Sequence, residues 1–245
     1  MQIDIITLFP EMFDGPFGAS IVRRAIDAGL IKIDIHNLRD WTHDGRRTVD
    51  DAPFGGGPGM ILKPQPLFEA VDALRSDAAV TVLLTPNGEL LKQPLVRELA
   101  AAEHLILICG HYEGVDERVA DHLANKCISI GDYVLSGGEL PAMVIADAIV
   151  RLLPGALGCA DSTREEAHEG GLLEYPQYTR PAVYRGNPVP EIVRSGNHQQ
   201  LERWKRRQAL RRTADRRPDL MTAEAELELA WLELELARMG VEASG

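Results

Sequence analysis

Short apolar runs alternate with helical patterns over about the first 155 residues of the chain. Several of these runs are almost continuously apolar, which is typical of strands in a sheet covered by helices on both faces. The alternation favours an α/β fold with a mainly parallel sheet. The predicted strands are 3–8, 30–36, 80–85, 104–109 and 127–130, and the predicted helices are 20–28, 66–75, 93–102, 114–124 and 140–153.

The alternation stops after this region. Residues 154–171 show little periodicity and carry many charges and several glycines, which indicates a connecting segment with a function of its own. Helical patterns return at 198–214 and 223–239. We therefore predict an α/β domain at 1–159, an inter-domain linker at 160–171 and a small helical domain at 172–245.

The composition disfavours several classes of protein. A hydrophobic content of 45% with 26% charged residues is ordinary for a soluble globular protein. No stretch approaches the ~20 apolar residues of a membrane span, and the first residues lack the basic region of a secretory signal. The three cysteines are widely spaced without a CxxC pair, so disulfides and a zinc cluster are not expected. We expect a cytoplasmic protein.

The net charge of −11 conceals a basic block near the C-terminus. From Arg194 to Arg217, nine Lys or Arg residues stand against two acids, whereas seven acids stand against one Arg between Asp219 and Glu242. This block has the composition of a phosphate-binding surface. On the block alone, a solvated helix face is an equally good interpretation.

Glycine-bearing turns follow three of the predicted strands, at 85–88, 110–114 and 130–138. Ligands of open α/β sheets bind outside the carboxyl ends of the strands, and glycine lets the main chain approach a bound molecule closely. The sequence therefore predicts a small-molecule site at these turns. A further loop at 54–60 has four glycines but lacks the Lys-Ser/Thr of a phosphate-binding P-loop. For that loop, admission of a flat group is favoured over a mere flexible turn.

Five motifs taken together resemble the bacterial tRNA (guanine-N1)-methyltransferase family, the TrmD type. They span nearly the whole chain in the family's order and spacing, although each alone would be weak. The motifs are Gly55-Gly-Gly-Pro-Gly-Met60, Gly110-His-Tyr-Glu-Gly-Val-Asp116, Ile130-Gly-Asp-Tyr-Val-Leu-Ser-Gly-Gly-Glu139, Leu172-Leu-Glu-Tyr-Pro-Gln-Tyr-Thr-Arg-Pro181 and Arg211-Arg-Thr-Ala-Asp-Arg-Arg-Pro218.

The resemblance implies a SPOUT-class enzyme that uses S-adenosylmethionine and whose parallel sheet carries a deep trefoil knot, a rare exception to unthreaded chain paths. It also implies a small α-helical C-terminal domain, a homodimer and a tRNA substrate methylated at N1 of the guanosine at position 37. The family's reaction is Mg²⁺-dependent, but the sequence indicates no metal site, and no protein partner is identified. The implied cofactor contacts are Thr85, Pro86, Gly110, Tyr112, Glu113, Gly114, Ile130, Gly131, Asp132, Tyr133, Val134, Leu135, Gly137 and Gly138.

The chemistry assigns roles to two further positions. Guanine N1 carries a proton, which a carboxylate can remove as the methyl group arrives, while a cation near O6 stabilises the developing charge. The family places an Asp base in the linker and an Arg at the end of the knot helix. Arg151 matches the Arg, although its i,i+4 spacing from Asp147 would by itself indicate a structural ion pair.

The base position departs from the family's pattern. Counting fifteen residues forward from Arg151, or five back from Gly171, gives Glu166 where the family has Asp. The Asp-Ser pair that begins at Asp161 lies five residues too early. We predict Glu166 as the base, with Asp161 as its rival.

The basic block fits the tRNA role that the resemblance implies. Two alternatives stay open: a ligand-sensing nucleic-acid-binding regulator with a helix-turn-helix at its C-terminus, and a SPOUT enzyme that methylates ribose 2′-hydroxyls. The linker carboxylates favour base methylation, since fold alone does not decide the reaction. The predicted tRNA contacts are Gly57, Gly59, Arg203, Lys205, Arg206, Arg207, Arg211, Arg212, Arg216 and Arg217.

Overall fold

The computed structural model describes residues 1–157, 168 and 171–238. The chain divides into two compact units, residues 1–160 and 161–245. The strands of the first unit are β1 (Gln2–Thr7), β2 (Lys32–Asn37), β3 (Asp50–Asp51), β4 (Ile61–Leu62), β5 (Ala79–Leu90), β6 (His104–Cys109) and β7 (Lys126–Ser129). Its helices are α1 (Asp14–Phe17), α2 (Ser20–Asp27), α3 (Pro64–Leu74), α4 (Gln93–Ala100), α5 (Glu117–His122) and α6 (Glu139–Val150).

Five of these strands form one parallel sheet in the order β2-β1-β6-β5-β7. Successive side chains of each strand point to opposite faces, and both faces are buried. Ile5 and Leu107 belong to a core that helices α2, α4 and α6 cover. Ile6 and Ile108 belong to a second core, covered by α3 and α5. The expected parallel sheet with helices on both faces is confirmed.

Each predicted strand and helix has a counterpart whose bounds lie within three residues of the predicted ones, with one exception. Strand β5 continues to Leu90, five residues past its predicted end, because Thr85-Pro-Asn-Gly88 forms an irregularity within the strand. The register with β7 shifts between Leu84 and Glu89, after which pairing resumes. A side chain at Gly88 would overlap the main chain of Cys127 and Ile128, so only glycine allows this crossing.

The second unit is mainly helical in its described part. Helices α8 (His198–Arg216) and α9 (Ala223–Arg238) pack together through Leu210, Ala225 and Leu232. The Asn197 side chain caps α8 by accepting a hydrogen bond from the Gln200 amide at 3.2 Å. No helix within the described ranges is long and apolar enough to cross a membrane. The elements are β8 (Val183–Tyr184), β9 (Asn187–Pro188), α7 (Glu191–Arg194), α8 (His198–Arg216) and α9 (Ala223–Arg238).

One buried carboxylate ties the three strands at one side of the sheet together. The side chain of Asp4, on β1, is 1% exposed and accepts hydrogen bonds from Nε2 of His36 at 2.6 Å and Nε2 of His104 at 2.7 Å. Gln2 donates a third bond at 2.8 Å. Burial acts to raise the pKa of Asp4, but the bonds from His36, His104 and Gln2 outweigh it and hold that pKa below its usual range.

Replacement of this carboxylate should destabilise the first unit. We expect Asp4→Asn to lower the free energy of unfolding by about 1–3 kcal/mol, because the histidine donors then meet a neutral amide. The depressed pKa means that the carboxylate stabilises the fold above about pH 4 and that this contribution is lost as the pH falls through the folded-state value. Urea titrations from pH 7 to pH 3 measure both effects, so the stability of the variant should fall less steeply with acid.

The control is Asp27→Asn, which breaks an exposed i,i+4 ion pair with Arg23. Exposed pairs of this kind contribute little to stability. Equal stability losses in both variants, or identical acid limbs for Asp4→Asn and the unaltered protein, would contradict the role of Asp4.

Candidate functional site

A cavity of about 520 Å³ opens beside the irregular part of β5 and at the carboxyl ends of β6 and β7. Three chain segments line it: the irregular part of β5 at 85–87, the loop 110–115 after β6 and the loop 129–138 between β7 and α6. This is the position expected for a ligand of an open parallel sheet. The three glycine-bearing turns singled out by the sequence therefore lie around one cavity.

Thirteen of the fourteen residues assigned to the cofactor line this cavity, and the exception is Asp132, whose side chain is exposed. Several lining residues were not predicted, among them His111, Asn87 and Ser136. Each of these three stands inside or next to a quoted glycine motif. Their position in the motif was therefore a usable signal, although their residue types alone indicated no role.

The walls of the cavity are main chain in close contact. The amide of Gly138 donates a hydrogen bond to the carbonyl oxygen of Gly110 at 2.8 Å. A Cβ atom added to Gly138 would lie 2.6 Å from the Cα of Cys109, so a side chain there would force the two segments apart. At the other end of the first loop, Gly114 has a φ of +137°, a conformation that favours glycine.

A compact turn shapes the second loop. The Ser129 hydroxyl donates to the Gly131 carbonyl at 3.0 Å and accepts from the Gly131 amide at 3.3 Å. The Tyr133 amide then donates to the same carbonyl of Gly131 at 2.9 Å. These bonds hold the main chain around Ile130 at the cavity wall, where its peptide groups face a bound molecule without adding charge.

The glycine-rich loop at 54–60 joins this site through the main chain. Its end pairs with the first cavity loop, since the Glu113 amide donates to the Met60 carbonyl at 3.1 Å and the Leu62 amide to the Gly114 carbonyl at 3.0 Å. A side chain at Gly59 would overlap that of Glu113. The predicted tRNA contacts Gly57 and Gly59 both have positive φ values, +131° and +83°.

The predicted catalytic residues fall in two places. Arg151 is the half-buried residue that ends α6, one position after Val150. Asp147, four residues earlier, is exposed. Glu166 and Asp161 lie outside the described residues. The structure therefore locates the predicted cation, and the identity of the base stays a prediction.

The basic block lies mostly on α8, where its side chains have varied surroundings. Exposed or half-exposed arginines pair with glutamates of α9, and Arg212 donates to the Glu174 carbonyl at 2.9 Å. Arg207 is only 8% exposed, with its Nε buried and without a hydrogen-bond partner in the described residues. Burial and the nearby charge of Arg211 lower its pKa. The cross-helix pairs are Arg203–Glu235, Arg206–Glu228 and Arg211–Glu233.

Three of the predicted phosphate contacts line a cleft of the second unit. Arg211, Arg212 and Arg216 border a cavity of about 540 Å³ together with Pro176 and Gln208. The cleft also contains Asp215 and Glu233, so its charge is mixed. Arg216 is exposed beside it. In contrast, the buried Arg207 is poorly placed to meet a phosphate in this conformation.

The described residues do not assemble a metal centre. Within 1–157, 168 and 171–238, no three His, Cys, Asp or Glu side chains converge in an arrangement that could hold a metal ion. The Mg²⁺ that the family resemblance implies therefore has no cluster of three or more such side chains to hold it in this part of the chain.

Comparisons with known proteins agree on one family. The family model described as tRNA (Guanine-1)-methyltransferase TrmD matches residues 1–223, and the match ends where α9 begins. A tRNA (guanine-N(1)-)-methyltransferase of Dehalococcoides mccartyi strain BAV1 is 56% identical over 223 residues, which cover 90% of both chains. Proteins of the same description are 56% identical over 221 residues in Dictyoglomus turgidum and 52% identical over 224 residues in Bacillus licheniformis. In these two cases 90% of this chain is covered, with 90% and 92% of the relative respectively.

Proposed function

The chain belongs to the tRNA (guanine-1)-methyltransferase family of the TrmD type, and on this premise we propose that it methylates N1 of the guanosine at position 37 of tRNA. The observation that carries the proposal is the cavity beside the irregular part of β5 and at the carboxyl ends of β6 and β7, which the family's motifs line. The names of the relatives specify guanine N1 as the acceptor. That acceptor disfavours both the regulator and the ribose methyltransferase alternatives.

S-adenosylmethionine fits the cavity as the methyl donor. Its adenine is a flat, uncharged group, and the cavity offers main-chain peptide groups at Gly110, Ile130 and Gly138 for such a ring. A side chain at Gly138 would displace this wall, so the close approach of the main chain to the cavity depends on glycine at this position. When bound, the cofactor supplies an activated methyl group on a positively charged sulfur and leaves as S-adenosylhomocysteine.

The remaining chemistry belongs to the chain's own residues. A linker carboxylate, Glu166 or its rival Asp161, takes the proton from guanine N1, whose electron pair then forms the bond to the methyl carbon. Arg151 stabilises the negative charge that develops at O6.

We also propose a knotted first domain, with the boundaries 1–159, 160–171 and 172–245 for domain, linker and tRNA-binding domain. Two features support the threading. The main chain of β5 lies close against that of β7 at Gly88, where the pairing register shifts, and the Leu91 amide donates to the Ser129 carbonyl at 2.8 Å. The loop after β7 then returns to the end of β6, where Gly138 bonds to Gly110.

Methyl incorporation tests the reaction directly. We expect labelled S-adenosylmethionine to methylate a tRNA transcript with guanosine at position 37, at N1, and to leave a transcript with adenosine there unlabelled. Glu166→Gln should lower turnover about 10²–10⁴-fold, as expected for loss of a general base. The matched control is Glu165→Gln, which removes the neighbouring carboxylate and should keep full turnover.

Other outcomes assign the chemistry differently. A loss confined to Asp161→Asn would make Asp161 the base, and equal losses in both variants would leave neither assigned. Binding of both transcripts without methylation would support the regulator, and a product methylated on ribose would support the ribose methyltransferase alternative.

We also propose a cytoplasmic location, because tRNA is processed there.

We propose that the C-terminal unit binds tRNA phosphates at the cleft lined by Arg211, Arg212 and Arg216. The slope of log affinity against log salt should be steep, and Arg216→Gln should reduce its magnitude by about one, because one phosphate contact is lost. Filter binding at salt concentrations from about 50 to about 300 mM measures this slope. The charge-matched control is Arg23→Gln, at an exposed arginine of α2, which should keep the slope of the unaltered protein. Equal slopes for Arg23→Gln and Arg216→Gln would refute the proposal that the cleft binds phosphate.

A homodimer is proposed on the exposed apolar surface of the first unit. Tyr133 and Val134 of the second cavity loop are exposed, as are Leu140 and Val144, which lie one helical turn apart on α6. Large exposed apolar side chains that are close in the chain are candidates for an interface. Sedimentation velocity should give twice the 27.0 kDa of one chain. Val144→Glu should shift the protein to monomer, whereas Val183→Glu, at an exposed valine of the other unit, should not; a monomeric unaltered protein would refute the dimer.

A further inference from the structure

A buried carboxylate lies directly behind the wall of the cavity. Glu139 is the first residue of α6 and is 2% exposed. The hydroxyl of Thr7, at the end of β1, donates to its Oε1 at 2.7 Å. Thr7 is itself 1% exposed and accepts from the Phe9 amide at 3.0 Å. A carboxylate at the N-terminus of a helix also lies near the free amides and the positive end of the helix dipole, which favour an acidic side chain there.

His111 faces this carboxylate from the first cavity loop. Its Nδ1 lies 3.9 Å from Oε2 of Glu139, close enough for an ion pair but too far for a hydrogen bond. The same Nδ1 is buried and has no hydrogen-bond partner in the described residues. The ring is held between those of Phe9 and Tyr112, with centroids at 4.9 and 4.8 Å. A buried polar atom without a partner is rare and points to a second arrangement in which it is bonded.

The position of this pair connects it to the ligand. His111 lines the cavity, whereas Glu139 is not among the lining residues. His111 also bridges to Gly137 across the two cavity loops, next to the hydrogen bond between Gly138 and Gly110. A hydrogen bond from this ring to Glu139 would therefore add a side-chain link between the two loops beside their main-chain contacts.

The charge of Glu139 is felt elsewhere in the core. Burial, and then the nearby charge of Glu139, raise the pKa of the Cys109 thiol well above its usual value. The described structure places the Thr7 hydroxyl and the facing ring of His111 against this carboxylate. A buried carboxylate gains most from a charge-assisted hydrogen bond.

We propose that Glu139 is a positioning residue for cofactor binding. It receives a hydrogen bond from Nδ1–H of His111 when the cavity is filled, and this bond fixes the loop 110–114 against the loop 130–138. Thr7 holds the carboxylate in the rotamer that faces the ring. The inference rests on the proposed function, because it takes S-adenosylmethionine as the ligand of the cavity.

Calorimetric titration with S-adenosylmethionine tests the carboxylate. Glu139→Gln should weaken binding about tenfold, the effect expected for loss of a hydrogen bond between charged groups. Thr7→Val should weaken binding less, and Thr7→Ser, which keeps the hydroxyl, should restore it. In turnover assays the KM for S-adenosylmethionine should rise while kcat at saturation stays close to that of the unaltered protein. Glu11→Gln, at an exposed acid of the same unit, is the control.

The ring is tested by NMR of protein labelled with ¹⁵N-histidine. The Nδ1 resonance that disappears in His111→Asn belongs to His111. On addition of S-adenosylmethionine this resonance should shift to that of a protonated, hydrogen-bonded nitrogen in the unaltered protein, and it should not do so in Glu139→Gln. A fall in stability alone would not produce this difference.

The outcomes separate the inference from the proposed function. Failure of the unaltered protein to bind S-adenosylmethionine would refute both. Binding by the unaltered protein with equal affinity in Glu139→Gln and Thr7→Val, and without a shift of the His111 resonance, would refute only the positioning role. If Glu139→Gln does not fold, the Thr7 pair and the ligand-dependent shift decide the question.

Discussion

The site depends on a close contact between two main-chain segments of the chain, and only glycine permits this contact. The Gly138 amide reaches the Gly110 carbonyl at 2.8 Å, with no room for a Cβ atom beside Cys109. This contact places the N-terminus of α6 against the carboxyl end of β6. At this contact the cavity has a wall of peptide groups whose positions the sheet determines, beside the side chains of residues such as His111 and Tyr133. A rigid wall lowers the entropic cost of holding a ligand.

The two hydrophobic cores make that contact possible. Each strand of the sheet is packed on both faces, so the ends of β5, β6 and β7 are fixed relative to one another. Buried polar groups add connections to β1. Asp4 joins β1 to β2 and β6, and Thr7 joins the end of β1 to α6 through Glu139. The loops beyond these ends carry the chemistry, which is the usual division between scaffold and site.

The sequence was most informative where structure is local. Strand β6 was predicted to the residue, because a continuous apolar run ends at Gly110. The extension of β5 was missed, since Thr85-Pro-Asn-Gly88 has the composition of a turn and only its pairing with β7 makes it part of a strand. The Thr7–Glu139 bond joins residues 132 positions apart, and no local pattern indicates it. Arg207 was grouped with its basic neighbours, yet the helical phase of α8 places it beside the buried Leu210.

The charges of the second unit bear on how an acidic protein could present the proposed phosphate-binding surface. Arginines of α8 pair across the helices with glutamates of α9, such as Arg206 with Glu228 and Arg211 with Glu233. These pairs are partly exposed, and exposed pairs contribute little stability because water screens them. A phosphate carries charge that does not depend on one side-chain rotamer, so it can replace a glutamate at small cost. On this proposal the glutamates of α9 compete with tRNA phosphates for the arginines of α8. Helix α9 begins at Ala223, where the family match ends.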